Sequence, residues 1–179
     1  RAGAMIHEGV GVTGIAKSGE DFIVSTDVAG EFRAPMVQVS AGAWGNDLSE
    51  MLGERAPLTD HGPLIGVTEP LPYAIGPTLG VSSSKSEESI YLRQVKRGNV
   101  VFGGCRRGTA DKTTRLAKIN PAVTIFQLEQ LRRYVPALRN VNVIRTWSGV
   151  EGYMPDDIPI MGPSSKLKGL YYAFGFCGH

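Results

Sequence analysis

Three groups of residues have the types and spacing that could do chemistry. "GVGVTG", Gly9 to Gly14, fits G-x-G-x-x-G, whose glycines let backbone N–H groups cradle a dinucleotide pyrophosphate at the start of a helix. Asp156 and Asp157 are adjacent carboxylates, the side chains of acid and base pairs. Cys105, Cys177, His7 and His61 are of metal-ligating or nucleophilic type. Each group lacks the context its chemistry requires. A phosphate loop needs an apolar strand before it and a helix after it, but "RAGAMIHE" precedes and "IAKSGEDFIVSTDV" follows, a turn and another strand. The glycines alternate with Val10 and Val12 as in a strand, where glycine marks a bulge or close approach of another backbone. Neighbours on an extended chain point to opposite sides, so Pro155-Asp156-Asp157 reads as a turn. The cysteines lie far apart without CxxC spacing, and the two histidines have no recognisable catalytic partner, which leaves them structural or exposed.

The 179 residues suffice for one substantial core, or parts of two domains. A formal charge of +2 is too small for a nucleic-acid or anionic-membrane footprint, so the expected ligands are small molecules. No stretch approaches the roughly 20 apolar residues of a spanning helix, and the first residues lack the order of a secretory signal. The expectation is a soluble cytoplasmic protein in a reducing compartment. The chain begins at Arg1 and stops at "AFGFCGH" directly after an apolar run, and so reads as a piece of something longer.

The elements that must position these residues are mostly strands. "VGVTGIA", "FIVSTDV" and "PMVQVSA", separated by turn residues, predict an antiparallel meander, followed by a short helix from Asn46 to Leu52 that Gly53 ends. "PLIGVTE", "SIYLRQV" and "VVFGG" continue as strands, the last two forming a hairpin through Lys96 to Asn99. The basic segment "CRRGTADKTTRLAK" reads as an exposed loop. The spacing predicts one long helix over 121–135, capped by Asn120, with Pro121 at its first position. Its apolar face carries Ile125, Leu128, Leu131 and Val135. "VNVIRTWSGVEGY" and "GLYYAFGF" are the closing strands. The class is α+β with mostly antiparallel sheet.

The segment "RTWSGVEGYMPDDIPIMGPSSKLKGLYYAFGFCGH" resembles the C-terminal signature of the FAD-dependent D-amino acid oxidase superfamily, in the branch of glycine oxidase, sarcosine oxidase and D-proline or D-hydroxyproline dehydrogenases. "RAGAMIHEGVGVTGI", "VQVSAGAW" and "VTEPLP" look like earlier landmarks of that family in the right order. The resemblance implies that residues 1–56 are part of an FAD-binding domain, that 57–145 form a substrate-binding sheet with the long helix, and that 146–179 return to the FAD domain. It also implies that the family's N-terminal dinucleotide fingerprint and C-terminal helix lie outside this chain.

The same resemblance implies site residues. Val12 would touch the adenine end of FAD as a strand edge. Ser40, Ala41, Gly42 and Trp44 match the place where a strand ends beneath the cofactor, and small residues there admit a flat ligand. Gly149 and Val150, with Gly175, Phe176, Cys177, Gly178 and His179, match the stretches that pass the flavin ring. Tyr91 matches a tyrosine that meets the substrate carboxylate. Glu151 departs from the pattern, because relatives place there an arginine that grips the carboxylate in a bidentate pair. A glutamate repels that group. Either Arg93 or Arg145 holds the carboxylate instead, or the substrate is an amine, imino acid or opine-like molecule with another anchor. No cysteine stands where the sarcosine oxidase branch attaches flavin, so the FAD is expected to be non-covalent.

The implied activity is oxidation of the C–N bond of a D-amino acid, imino acid or secondary amine by hydride transfer to flavin, with D-proline-like substrates favoured. The partners expected are this small-molecule substrate and further subunits in a homo- or hetero-oligomer. A non-catalytic lobe of a hetero-oligomeric dehydrogenase is the alternative. A module binding NAD through Gly9 to Gly14 is a third reading, which requires a helix after Gly14.

Overall fold

The computed structural model describes residues 3–178. In chain order its strands are β1 (Val12–Ser18), β2 (Asp21–Thr26), β3 (Glu31–Ala34), β4 (Val37–Val39), β5 (Thr59–Gly62), β6 (Leu64–Pro70), β7 (Leu79–Val81) and β8 (Ile90–Gln94). They continue as β9 (Asn99–Gly104), β10 (Gly108–Asp111), β11 (Leu116–Ala117), β12 (Val143–Ser148), β13 (Glu151–Tyr153), β14 (Ile160–Pro163) and β15 (Leu170–Phe174). The helices are α1 (Gly45–Met51) and α2 (Pro121–Tyr134). This is the α+β class with mostly antiparallel sheet that the sequence predicts. The chain divides into two compact units, Arg1–Thr59 with Gly152–His179, and Asp60–Glu151.

In the first unit β1, β2 and β3 form the expected meander. The strand after Gly14 therefore pairs back in a hairpin, and no helix begins there, which removes the NAD-module reading. Beside the meander, β14, β15 and β4 pair in that order, β14 antiparallel and β4 parallel to β15. Phe22, Leu170 and Phe174 are almost fully buried between these layers with Ile15, Val39 and Ala56. Gly45, at the start of α1, lies so close to the Phe174 ring that a Cβ would fall 2.4 Å from it. The sequence at Pro155-Asp156-Asp157 is the predicted turn, with Asp157 N–H donating to Met154 O and the Asp156 carboxylate accepting from Ile158 N–H.

One carboxylate ties this unit together. Glu54, just after α1, accepts from Ser164 Oγ (2.5 Å), Ser165 N–H (2.9 Å), Ser165 Oγ (2.6 Å) and Tyr172 Oη (2.8 Å). Partial burial raises its pKa, but these hydrogen bonds outweigh it and bring the carboxyl down to about 2. Burial and the bond to Glu54 push the Tyr172 hydroxyl well above its ordinary value, so it stays a donor.

In the second unit the strand order β12-β6-β9-β8-β7 makes a five-stranded sheet, antiparallel at every pairing. α2 covers one face, burying Ile90, Leu92, Val100, Phe102, Leu131 and Leu138. The start of α2 is as predicted, with Asn120 extended and its side chain accepting from Ala122 N–H. Its buried face differs: Val123, Gln127, Gln130 and Leu131 point inward, while Ile125 is 59% exposed. The reason is polar. Gln127 is fully buried and its Nε2 donates to the carbonyls of Leu64 (2.8 Å) and Gly104 (2.9 Å), where β6 begins and β9 ends. Strand-end carbonyls sealed under a helix need donors, so a glutamine takes the central position and Ile125 is rotated outward. The basic segment is also more than a loop. It forms the hairpin β10–β11, with Asp111 accepting from Thr113 N–H in the turn, and β10 pairs with β5.

Glu54→Gln should lower stability by about 1 kcal/mol at neutral pH, the hydrogen bonds to charge being discounted for solvent screening. Because the folded pKa is depressed, this contribution is present above the unfolded carboxyl value near 4.5 and is lost as pH falls toward about 2. Thermal melts of both proteins should therefore converge across that window. A constant gap from pH 6 to pH 2 contradicts the assignment.

Candidate functional site

The five-stranded sheet has a second face, and α2 does not cover it. Period-two alternation dictates what stands there, because Ile90, Leu92 and Gln94 turn inward and Tyr91 and Arg93 must turn out. The register aligns their neighbours in two transverse rows. Tyr91 pairs with Gly103, Gly103 with Ile65, and Ile65 with Trp147. Arg93 pairs with Val101, Val101 with Val67, and Val67 with Arg145. Three of the four substrate candidates, Tyr91, Arg93 and Arg145, thus share one exposed face. The Arg145 guanidinium sits 5.8 Å from the Trp147 ring centroid. Trp147, Gly103 and Ile65 were not singled out as site residues from sequence, although the alternation in "YLRQ" and "RTWS" contained the signal.

Tyr91 lies down across the sheet. Its hydroxyl comes within 2.3 Å of where a Cβ on Gly103 would stand, and Ile65 Cδ1 within 2.6 Å, so the missing side chain is the space the ring occupies. The fourth candidate, Glu151, follows β12 and is close enough that its charge acts on Tyr91. Burial first and the Glu151 carboxylate second push the tyrosine hydroxyl above its ordinary value, and it remains a neutral donor. Between β12 and Glu151 come Gly149, with open space where a Cβ would be, and the half-buried Val150.

Apart from Val12, Gly149 and Val150, the described cofactor candidates gather in the first unit at the carboxyl ends of two parallel neighbours. β4 and β15 run in register, Val39 beside Tyr172, so Ser40 and Ala41 emerge next to Ala173 and Phe174. Ser40 Oγ accepts from Gln38 Nε2, and Trp44 N–H donates to Ala41 O in a single helical turn that leads into α1. After β15, Gly175, Cys177 and Gly178 all have positive φ, at 76°, 54° and 89°. Cys177 is held in that conformation by its buried thiol, which donates to Gly175 O (3.0 Å) and accepts from Met154 N–H (3.2 Å). Gly42, at φ 54°, has nothing within 4 Å of a Cβ position, and the nearest atom to that of Gly178 is at 4.0 Å. Half-exposed Phe176 and Trp44 flank these turns. Ligands of α/β sheets bind outside the carboxyl ends of parallel strands, and side-chain-free turns there let a planar ring approach the backbone. The residues fit a flavin. His179 lies outside the described residues.

"GVGVTG" is built differently. The Asp27 carboxylate accepts from Gly11 N–H (2.8 Å), and Asp27 N–H donates to Gly11 O (3.0 Å). A carboxylate already occupies the donor a phosphate would need. Val12, which opens β1, is 42% exposed and stands in a different sheet from the turns above.

The β10–β11 hairpin, β5 and the start of α2 also line an open cavity of about 690 Å³ that includes His61, Arg107 and Lys118. Among the described residues no cluster of His, Cys, Asp or Glu could hold a metal ion, and no helix is long and apolar enough to cross a membrane.

The model of the DAO family, FAD dependent oxidoreductase, matches residues 1–179. The chain belongs to this FAD-dependent oxidoreductase family. Hydrogen cyanide synthase subunit HcnC of Pseudomonas aeruginosa is 32% identical over 99% of the chain and 40% of the relative. Sarcosine oxidase subunit beta of Rhizobium meliloti is 28% identical over 98% of the chain and 40% of the relative. Among solved structures, L-proline dehydrogenase from P. horikoshii superposes with a TM-score of 0.83 at 25% identity, over 99% of the chain and 46% of that structure. The chain thus spans less than half the length of the family members it matches. The resemblance read from the C-terminal segment and its FAD dependence hold.

The two faces of the sheet predict opposite responses to one added methyl group. Gly66→Ala would place a Cβ 2.3 Å from the sealed Phe102 ring and should cost about 1–3 kcal/mol in thermal or urea unfolding. Gly103→Ala meets only the free ends of Tyr91 and Ile65, so it should spare stability and instead displace the Tyr91 ring, seen as a changed near-UV circular dichroism signal. Equal destabilisation by both would contradict the assignment of faces.

Proposed function

We infer that the protein to which this chain belongs oxidises the C–N bond of an amino acid, imino acid or secondary amine. The observation that carries the reading is the uncovered sheet face, where Tyr91 lies over Gly103 beside Glu151, in a chain of an FAD-dependent family. Bound FAD supplies the two-electron acceptor. The substrate carbon loses hydride, its nitrogen gives up a proton to solvent, and the C–N bond becomes C=N. Water then hydrolyses the imine, or a cyclic imine persists.

The chain's own part is placement. Ala41–Gly42 and Gly175–Gly178 would present backbone to the bound ring, with the hydrogen bonds of Ser40 and Cys177 fixing the two turns. By the family pattern Val12 would hold the adenine end of FAD, and Gly149 and Val150 would offer backbone to it. Tyr91 donates to the substrate and Glu151 attracts its cationic nitrogen, while Arg93 or Arg145 takes a carboxylate. Orientation of a single C–H bond is the large term such a site can supply.

Relatives named as subunits, HcnC and the sarcosine oxidase beta chain, favour a protein that works within a hetero-oligomer. The native mass of the gene product isolated from its own cells should exceed that of a monomer, with a second polypeptide present. The same subunit names agree with a lobe of a hetero-oligomeric dehydrogenase, but nothing favours a non-catalytic lobe over the catalytic reading.

The test is the visible spectrum of the complete gene product, mixed anaerobically with D-amino acids, D-proline, sarcosine and opines. A flavin spectrum that bleaches with a member of the panel is expected. A colourless protein that fails to take up FAD, or a flavin that no amine reduces, overturns the reading.

A further inference from the structure

The segment that forms the β10–β11 hairpin holds more than the chain's whole net positive charge. Residues 106–118 carry Arg106, Arg107, Lys112, Arg115 and Lys118 against Asp111 alone, whereas the full chain has a formal charge of +2. Two of these cations have carboxylates beside them, Arg106 with Glu87 (2.8 Å) and Lys112 with Asp60 (3.6 Å). Register sorts the rest. Thr109 on β10 pairs with His61 on β5, and on its other side Thr109 O accepts from Lys118 N–H (3.2 Å), directly after β11. His61, Thr109 and Lys118 therefore stand in one transverse row, and side chains in such a row share a face. Two strand spacings put the Cα atoms of His61 and Lys118 roughly 10 Å apart, with the Thr109 hydroxyl between them. All three border the open cavity of about 690 Å³, as does Arg107, two residues before Thr109. Among the described residues around it the one carboxylate is Asp60, which precedes His61 in β5, turns to the opposite face and has Lys112 beside it. Lys118 has no carboxylate partner among the described residues.

We propose that this cavity binds the phosphate monoester of a small organic molecule. A guanidinium, an ammonium, an imidazole and a hydroxyl on one face offer more donors than the two oxygens of a carboxylate can use. The three terminal oxygens of a phosphate monoester take them, Arg107 through its planar fork and Lys118 as a point charge. The fourth oxygen then carries the organic group. A volume of about 690 Å³ exceeds what the anion alone fills and is in the range of small-molecule sites. Ala110, Ile119 and Pro121 border the same space and supply apolar contact for that group. The row lies in the sheet of β11, β10 and β5, whereas Tyr91, Arg93 and Arg145 belong to the five-stranded sheet. Its ligand is thus a second molecule beside the amine, and the site stands whichever amine is oxidised.

The full-length protein, with FAD bound, is titrated calorimetrically with AMP, ribose 5-phosphate, inorganic phosphate, adenosine and ribose. At least one of the two esters should bind with a Kd below about 1 mM and about 10-fold tighter than inorganic phosphate, while adenosine and ribose do not bind. Tighter binding of AMP marks a nucleotide as the source, equal or tighter binding of ribose 5-phosphate a sugar phosphate, and either supports the site. Lys118→Gln and Arg107→Gln should each raise the Kd of the ester by about 10- to 100-fold, the range of a lost charge-assisted pair. Arg115→Gln makes the same change of charge at the hairpin turn, outside the cavity, and should leave the Kd within about twofold. An unchanged flavin spectrum shows that each variant has folded, and Lys118, being exposed, is the variant that decides. Equal losses in Lys118→Gln and Arg115→Gln reveal only the diffuse charge of the hairpin and overturn the proposal. So do inorganic phosphate binding as tightly as both esters, adenosine binding as tightly as AMP, or neither ester binding.

Discussion

Everything proposed for substrate recognition depends on one constraint, the two-residue period of a strand. Once Ile90 and Leu92 on β8, and Val100 and Phe102 on β9, are committed to the core beneath α2, Tyr91, Arg93 and Val101 have no choice of side. A slip of one residue in register would exchange the two sets and bury both cation and phenol. The hydrophobic core therefore specifies the site as firmly as it specifies the fold. Gly66 and Gly103 mark the two sides of the same sheet: the first makes room for Phe102 in the sealed layer, the second for Tyr91 on the open one.

The proposed cofactor site of the first unit rests on a different principle, in which backbone rather than side chains would face the ligand. Its sheet ends in turns at Gly42 and Gly175–Gly178, whose positive φ values are favourable mainly for glycine. The exception, Cys177, is fixed by both hydrogen bonds of its thiol. Such turns need a rigid base, and the Glu54 carboxylate supplies part of it by joining the end of α1 to the Ser164–Ser165 turn and to Tyr172 on β15. A flavin contact made by backbone would be tolerant of sequence change.

Much of this was legible in the residues. The strands, the caps of α2, the turn at Asp156 and the hairpin in place of a phosphate loop follow from local pattern and turn chemistry. What local pattern missed was tertiary. Apolar period placed Ile125 inside α2, but the unpaired carbonyls of Leu64 and Gly104, distant in sequence, required Gln127 there. The charges of "CRRGTADKTTRLAK" suggested a loop, whereas pairing with β5 makes a hairpin. Tyr91, Arg93, Arg145 and Glu151 were identifiable as candidates, but the alignment of the first three across four strands is a property of register. Trp147 and Gly103 enter only through that alignment. The Gly9 to Gly14 motif shows the converse, a perfect local match whose donor is taken by Asp27.

The central claim is that the face of the sheet opposite α2 reads the substrate. A crystal structure of the full-length flavoprotein, soaked anaerobically with a slowly oxidised secondary amine, tests it most directly. The account predicts the amine nitrogen within hydrogen-bonding distance of Glu151 or Tyr91, with a carboxylate on Arg93 or Arg145. Ligand bound away from that face, for instance in the cavity beside His61 and Lys118, would contradict it.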